Sequence, residues 1–244
     1  MTCLVLISSN IFPSISDYYP QDLGPTSSNY GEVGLLEMPT ARLMKEGSLK
    51  IGISSSYPNE FTYIVATPFS WLETTYRYSE IKNLKYGPFT YSGNQSLKDK
   101  GFDVKVRLLQ ESYYTPQVSI GIRDLAGTGV FSGEYLVGSK TIKDFDITLG
   151  IGWGVLGRTG NINNPLIDLD EQFRNRDSAT ELGGSFNTKD WFSGERASVF
   201  GGIEYHLHRH GISFKLEYDT TDPTNTLSSG KLSSVKSRFN FGIS

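Results

Sequence analysis

All three histidines of the chain fall in one stretch, His206, His208 and His210, with Glu204 just before them. At every-second spacing on a strand these side chains share one face, and imidazole with carboxylate is a ligand set for zinc or copper. Arg209-His210-Gly211 reads as a hairpin turn, which takes His210 off the strand and leaves His206 and His208 as weak metal candidates. Histidine-assisted nucleophilic catalysis would have to use the same stretch, and no Gly-x-Ser-x-Gly elbow accompanies it. Asp168, Asp170 and Glu171 cluster close to Asn161, Asn163 and Asn164. Paired carboxylates can cleave glycosides, and carboxylate with amide oxygens can hold calcium, but a solvated acidic loop is the simpler reading. Gly150-x-Gly152-x-Gly154 and Gly127-x-Gly129 lack the following helix that a phosphate loop needs. Trp191, Phe192, Trp153 and Tyr205 have ring faces suited to sugars. Trp191 and Phe192 are the stacking candidates, because they open the strand after the longest loop. Packing within that loop or at a membrane girdle competes with this role. No catalytic residue, metal or cofactor is assigned.

The elements that position these residues are strands. The chain has 244 residues, with 14 Tyr, 14 Phe and 26 Gly, a composition that leans toward β structure. A net charge of -3 argues against a nucleic-acid binder. The single cysteine, Cys3, excludes an intramolecular disulfide and reads as incidental to a leader remnant rather than as a lipid-attachment site. No run of ~18 apolar residues exists to form a membrane helix. A membrane barrel would leave none either, since only every second strand residue faces lipid. Residues 1–24 are read as a leader remnant or disordered N-terminus, 25–47 as an extended segment and 48–244 as a β-barrel domain.

Period-two alternation dominates. Phe102, Val104, Val106 and Leu108 oppose Asp103, Lys105 and Arg107; Ile212, Phe214, Leu216 and Tyr218 oppose Lys215 and Glu217; Val235, Phe239, Phe241 and Ile243 oppose Lys236, Arg238 and Gly242. Phe145 to Trp153 behaves likewise, with Gly150, Gly152 and Gly154 on its polar side. Weaker alternation at 48–57, 61–67, 71–80, 117–124, 133–140 and 197–206 brings the count to about ten strands of ~7–11 residues, near the length that crosses a bilayer. Residues 165–176 suggest one short helix. Short connections at 68–70, 111–116, 141–143 and 207–211 alternate with longer ones at 81–100, 125–132, 154–196 and 220–233; only the short one at 58–60 breaks the pattern. Such sorting fits an antiparallel up-and-down transmembrane β-barrel, whole or incomplete, with a polar lumen. Tyr57, Trp71, Tyr78, Trp153, Tyr205 and Tyr218 are placed for aromatic girdles. Asp103, Lys105, Arg107, Lys215, Glu217, Lys236 and Arg238 are the expected lumen residues, in contact with water or polymer. The segment before the first strand is either a short strand or is tucked into the lumen, where Arg42 can pair with an acid of the polar face.

Several strings resemble one family. They include Asn29-Tyr30-Gly31-Glu32-Val33-Gly34-Leu35-Leu36-Glu37-Met38-Pro39-Thr40-Ala41-Arg42, Pro68-Phe69-Ser70-Trp71-Leu72-Glu73, Gly121-Ile122-Arg123-Asp124 and Gly127-Thr128-Gly129-Val130-Phe131-Ser132-Gly133-Glu134-Tyr135. Leu149-Gly150-Ile151-Gly152-Trp153-Gly154, Phe200-Gly201-Gly202-Ile203-Glu204-Tyr205 and Leu216-Glu217-Tyr218-Asp219 follow in order. Together they resemble the YjbH family of exopolysaccharide biosynthesis proteins, from about residue 25 onward. The resemblance implies an outer-membrane β-barrel of Gram-negative bacteria, non-catalytic, acting as pore or scaffold in exopolysaccharide or capsule export. It implies membrane lipid, polysaccharide and other export proteins as partners. Family members are usually longer, and the last strand lacks a terminal aromatic, so the chain reads as an N-terminal fragment. A soluble β-barrel that binds carbohydrate is the alternative.

Overall fold

The computed structural model describes residues 24–125, 127–176, 188–221 and 237–244. Its strands are β1 (Ser48–Ser56), β2 (Asn59–Phe69), β3 (Leu72–Lys85), β4 (Ser96–Leu109), β5 (Gln117–Arg123), β6 (Gly133–Ile142), β7 (Phe145–Gly152), β8 (Ile162–Asn163), β9 (Arg196–Leu207), β10 (Ile212–Tyr218) and β11 (Phe239–Ile243). Apart from the two-residue β8, each falls on a stretch of sequence alternation. They form one antiparallel sheet in sequence order, with β9 next to β7 and β8 attached to β9. Consecutive antiparallel pairing is what short hairpin connections permit.

The alternation resolves into faces of opposite character. Glu73, Thr75, Arg77 and Ser79 of β3 are buried, as are Asp99, Asp103 and Lys105 of β4. Their neighbours Tyr76 and Phe102 are exposed. The same holds around the sheet: Asp146 and Thr148 are buried while Ile147 and Leu149 are exposed, and Lys215 and Glu217 are buried while Leu216 is exposed. A water-soluble sheet buries its apolar face; here the polar face is the inner one.

Large apolar residues interrupt the inner face and make a core with the segment before β1. Leu35, Met38 and Ala41 pack with Tyr135, Val137, Leu156 and Phe200. Tyr30 packs with Phe61, Tyr63, Val65, Ile81 and Phe131. The interior is therefore filled rather than being the hydrated lumen expected from alternation. Side chains of β3, β4 and β10 reach the same few residues of this segment, so the sheet wraps around it.

The wrapped sheet is not closed: among the described residues β1 pairs only with β2, and β11 only with β10. This corrects the expectation of a barrel. Between the two terminal strands the N-terminal segment supplies contacts where a ladder would run. Ser54 of β1 donates to the Asn29 carbonyl, and Leu36 lies over Gly242 of β11, where a Cβ would come within 2.6 Å of it. The expected helix over 165–176 is two 3₁₀ turns, Pro165–Asp168 and Glu171–Arg174. Asp170 between them is extended and caps the second turn through the Gln172 amide, which ends the first. Trp153 does not join a girdle. Gly154, at φ 58°, turns the chain after β7, and the indole is buried with its Nε1 donating to Asn164 at 2.9 Å.

Candidate functional site: the charged interior and its mouth

The N-terminal segment is irregular, so its amides and carbonyls need partners from outside itself. Charged side chains of the wall provide them in matched pairs. On β10, Lys215 Nζ donates to the carbonyls of Gly34 (3.0 Å) and Leu35 (2.8 Å). Two residues on, Glu217 accepts from the amides of Leu36 (2.9 Å), Glu37 (2.9 Å) and Met38 (3.2 Å). On the opposite wall, Lys105 of β4 donates to the Val33 (2.6 Å) and Arg42 (3.1 Å) carbonyls, and Glu73 of β3 accepts from the Val33 (2.9 Å) and Met44 (3.2 Å) amides. In each pair the base takes carbonyls and the acid takes amides. Charge-assisted bonds of this kind are stronger than neutral ones, and they fix the segment's register in the interior.

A second group is dry. Glu32 sits between Arg123 (Nη2 at 2.6 Å) and the Tyr135 hydroxyl (2.6 Å), with Lys105 at 3.9 Å. Burial alone would raise the Glu32 carboxyl, but Arg123 and Lys105 hold it below its ordinary range. Arg123 also lies 4.0 Å from the Tyr30 ring centre. Arg77 pairs with Asp103 at 2.8 Å and is surrounded by Tyr30, Phe61 and Phe131 at 5.1 to 5.8 Å from their ring centres. Cation–π attraction of this sort is strongest where water is excluded. Glu37 has the reverse fate: burial, then the Asp219 and Glu217 carboxylates, push it up to about 8, against the hydrogen bond from Asn29.

The third group lies at the end of the sheet where the short connections 70–71, 110–116, 143–144 and 208–211 gather. Arg42 closes the N-terminal segment there, pairing with Asp146 (2.7 Å) and Glu111 (2.5 Å) and donating to Thr141 (2.8 Å). Beside it opens a cavity of about 300 Å³ lined by Arg107, Gln117, Lys143, Glu204, His206 and His208 among others.

The expected lumen residues thus divide. Asp103, Lys105, Lys215 and Glu217 face inward, and their buried heads are bonded to protein groups. Their buried polar heads need fixed partners, and the N-terminal segment and Arg77 supply them. Arg107 faces the cavity. Arg238 precedes β11, its carbonyl accepting from the Asp219 amide at 2.7 Å, and Lys236 lies outside the described residues. Glu32, Glu73, Arg77 and Arg123 are the site residues that reading the sequence missed. For Glu73 and Arg77 the signal was present, as Glu73, Thr75, Arg77 and Ser79 are the polar parity of one strand.

The other candidates are used locally. Phe192 meets Trp153 edge-on at 5.2 Å, so it packs within the loop, and Trp191 is half-buried beside it. Asp170 caps a turn and Glu171 pairs with Arg174 at 2.6 Å, while Asn161 and Asn163 bind β9 through Val199 and Arg196. His206 and His208 lie with ring centres 5.6 Å apart; His206 Nδ1 bonds Ser213 at 2.8 Å, and His208 is 3.9 Å from Asp144. Among the described residues no three histidine, cysteine or acidic side chains converge on a common point.

The model of the family described as exopolysaccharide biosynthesis protein YbjH matches residues 26–244. A curated relative, "Uncharacterized lipoprotein YjbH" of Escherichia coli (strain K12), is 43% identical over 227 residues, which is 92% of this chain and 32% of the relative. The chain therefore spans about a third of that protein's length. No solved structure matches the chain. The matched stretch begins with the N-terminal segment and carries every charged pair that seats it, and the chain belongs to the YjbH family of exopolysaccharide biosynthesis proteins.

Proposed function

We propose that this chain is the strand body of an outer-membrane protein that assists exopolysaccharide or capsule export without catalysing a reaction. One observation carries the reading: the sheet turns its apolar face outward. Leu49, Ile51 and Ile53 of β1, Ile147 and Leu149 of β7, and Phe239, Phe241 and Ile243 of β11 are all exposed. Contiguous apolar surface on this scale calls for a nonaqueous neighbour, and lipid matches its continuity around the strands. Aromatic rings stand at both ends of the band, with stacked Phe69 and Trp71 and the Tyr113–Tyr114 pair at the short-connection end and Tyr57, Tyr86 and Tyr91 at the other. The family description supplies the process, and the name of the Escherichia coli relative, a lipoprotein, supports attachment to an envelope membrane. The soluble carbohydrate-binding alternative leaves the exposed apolar face without a partner.

The test is extraction. The expressed chain should sediment with outer membranes, resist alkaline carbonate and dissolve only in detergent. Folded chain in the aqueous fraction would overturn the proposal. Pore and scaffold are then separated in planar bilayers. The seated segment obstructs the interior, so a pore should conduct more when Lys215→Met and Glu217→Gln loosen it. Silence in both the parent and that variant would favour a scaffold.

A further inference from the structure

We infer that the cavity at the short-connection end is a binding site for an acidic sugar residue, its carboxylate held by Arg107 and Lys143. Most charges at this end are already engaged. Asp146 is neutralised by Arg42, which is itself saturated by Asp146, Glu111 and Thr141. Glu204 accepts a hydrogen bond from Thr26 at 2.9 Å. Arg107 and Lys143 line the same cavity and make no ion pair with any described residue. Arg107 follows Asp103 and Lys105 on the inward parity of β4, so its stem is fixed by the sheet while its head faces open space. Lys143 stands in the two-residue connection between β6 and β7, at φ 56°, and lines the same cavity. Two acids near this rim have no arginine or lysine partner among the described residues: Glu204, held only by Thr26, and Asp144, which lies against His208 at 3.9 Å. The cavity thus presents two cations that make no ion pair among the described residues, with the Glu204 carboxylate held by Thr26 beside them.

Neutral groups complete the recognition. His206 uses Nδ1 on Ser213, which leaves its other ring nitrogen for a hydroxyl, and the Thr141 side chain also borders the cavity. A volume of about 300 Å³ is at the small end of ligand pockets, suited to a sugar unit rather than a long chain segment. A guanidinium matches a carboxylate through two parallel hydrogen bonds, and a lysine adds a point charge. The inference rests on the export reading only for where such a ligand would come from; the site itself stands on the cavity.

The experiment titrates the full chain in detergent micelles with trigalacturonate, maltotriose and inorganic phosphate. Trigalacturonate should bind, more weakly as salt rises, and maltotriose should not. The Arg107→Gln/Lys143→Gln variant should weaken trigalacturonate binding about tenfold or more, from the loss of two charge-assisted contacts. Arg174→Gln, the same kind of charge change in an exposed turn, should leave it unaltered. Absence of trigalacturonate binding, equal binding of maltotriose, equal affinity for phosphate, or indifference to the double variant would each overturn the inference. None of these results bears on membrane extraction, so the two readings fail separately.

Discussion

The deep interior and the short-connection mouth are built from the same residue types and use them in opposite ways. In the interior, Glu32, Glu73, Arg77, Lys105 and Arg123 are nearly devoid of solvent and each has a protein partner. At the mouth, Arg42 is paired but Arg107 and Lys143 face a cavity with no ion pair among the described residues. The difference teaches that charge on the inner face is not one functional category. A buried ion must be paired, because desolvation costs several kcal/mol per charge. Charges there are spent on seating the N-terminal segment. Only where water reaches the wall can a cation be left for a ligand.

The sharpest way to break this contrast is to remove one partner of a dry pair. Arg123→Met leaves Glu32 buried with only Lys105 near, and should destabilise the chain by about 3–5 kcal/mol, toward the lower figure because Lys105 remains. Urea unfolding followed by tryptophan fluorescence measures it, and adding Glu32→Gln should restore part of the loss. A smaller effect comes from packing. Gly121 of β5 lies under the Tyr135 ring, where a Cβ would come within 2.2 Å, so Gly121→Ala should cost about 1–3 kcal/mol and shift the unfolding midpoint accordingly.

Smaller still per unit of pH is the contribution of Glu37. Its folded value, about 8, lies above the ordinary 4.5. Between those values the folded chain holds a proton that the unfolded chain releases. Stability should therefore fall as pH rises from 4.5 to 8, with a slope of at most about 1.4 kcal/mol per pH unit. Below the lower value it should be unaffected by this group. Glu37→Gln should remove that part of the slope, and a matching slope in the variant would assign it elsewhere. At the bottom of the scale, Glu171→Gln breaks an exposed pair with Arg174 and should leave the unfolding midpoint unchanged, since exposed pairs contribute little. A large shift there would mean that the acidic loop does more than hold itself together.

Much of the fold is written in the order of residues. Strand positions are legible because the backbone sends successive side chains to opposite faces, so any half-buried strand must alternate. Ten of the strands declare themselves in this way, and β8 escapes because two residues carry no period. Parity also marks Asp103, Lys105, Lys215 and Glu217 as sharing the inner face. Alternation names a face without naming what stands against it. The packed core of Tyr30, Leu35 and Met38 depends on residues far apart in the chain meeting inside the curl. So do the clamps on the backbone of residues 33–38, which join β3, β4 and β10 around one segment.

What the sequence by itself determined is the set of strands, their antiparallel order and the polar identity of one face, because these follow from local stereochemistry and short connections. Three things were decided only by the tertiary structure. Among the described residues, the sheet wraps without pairing its end strands, the interior is filled by the chain's own N-terminal segment, and two cations are left facing a cavity at the mouth. The physical reason is the same for all three: whether a charge is paired, and whether a strand edge is bonded, depends on which distant group arrives beside it.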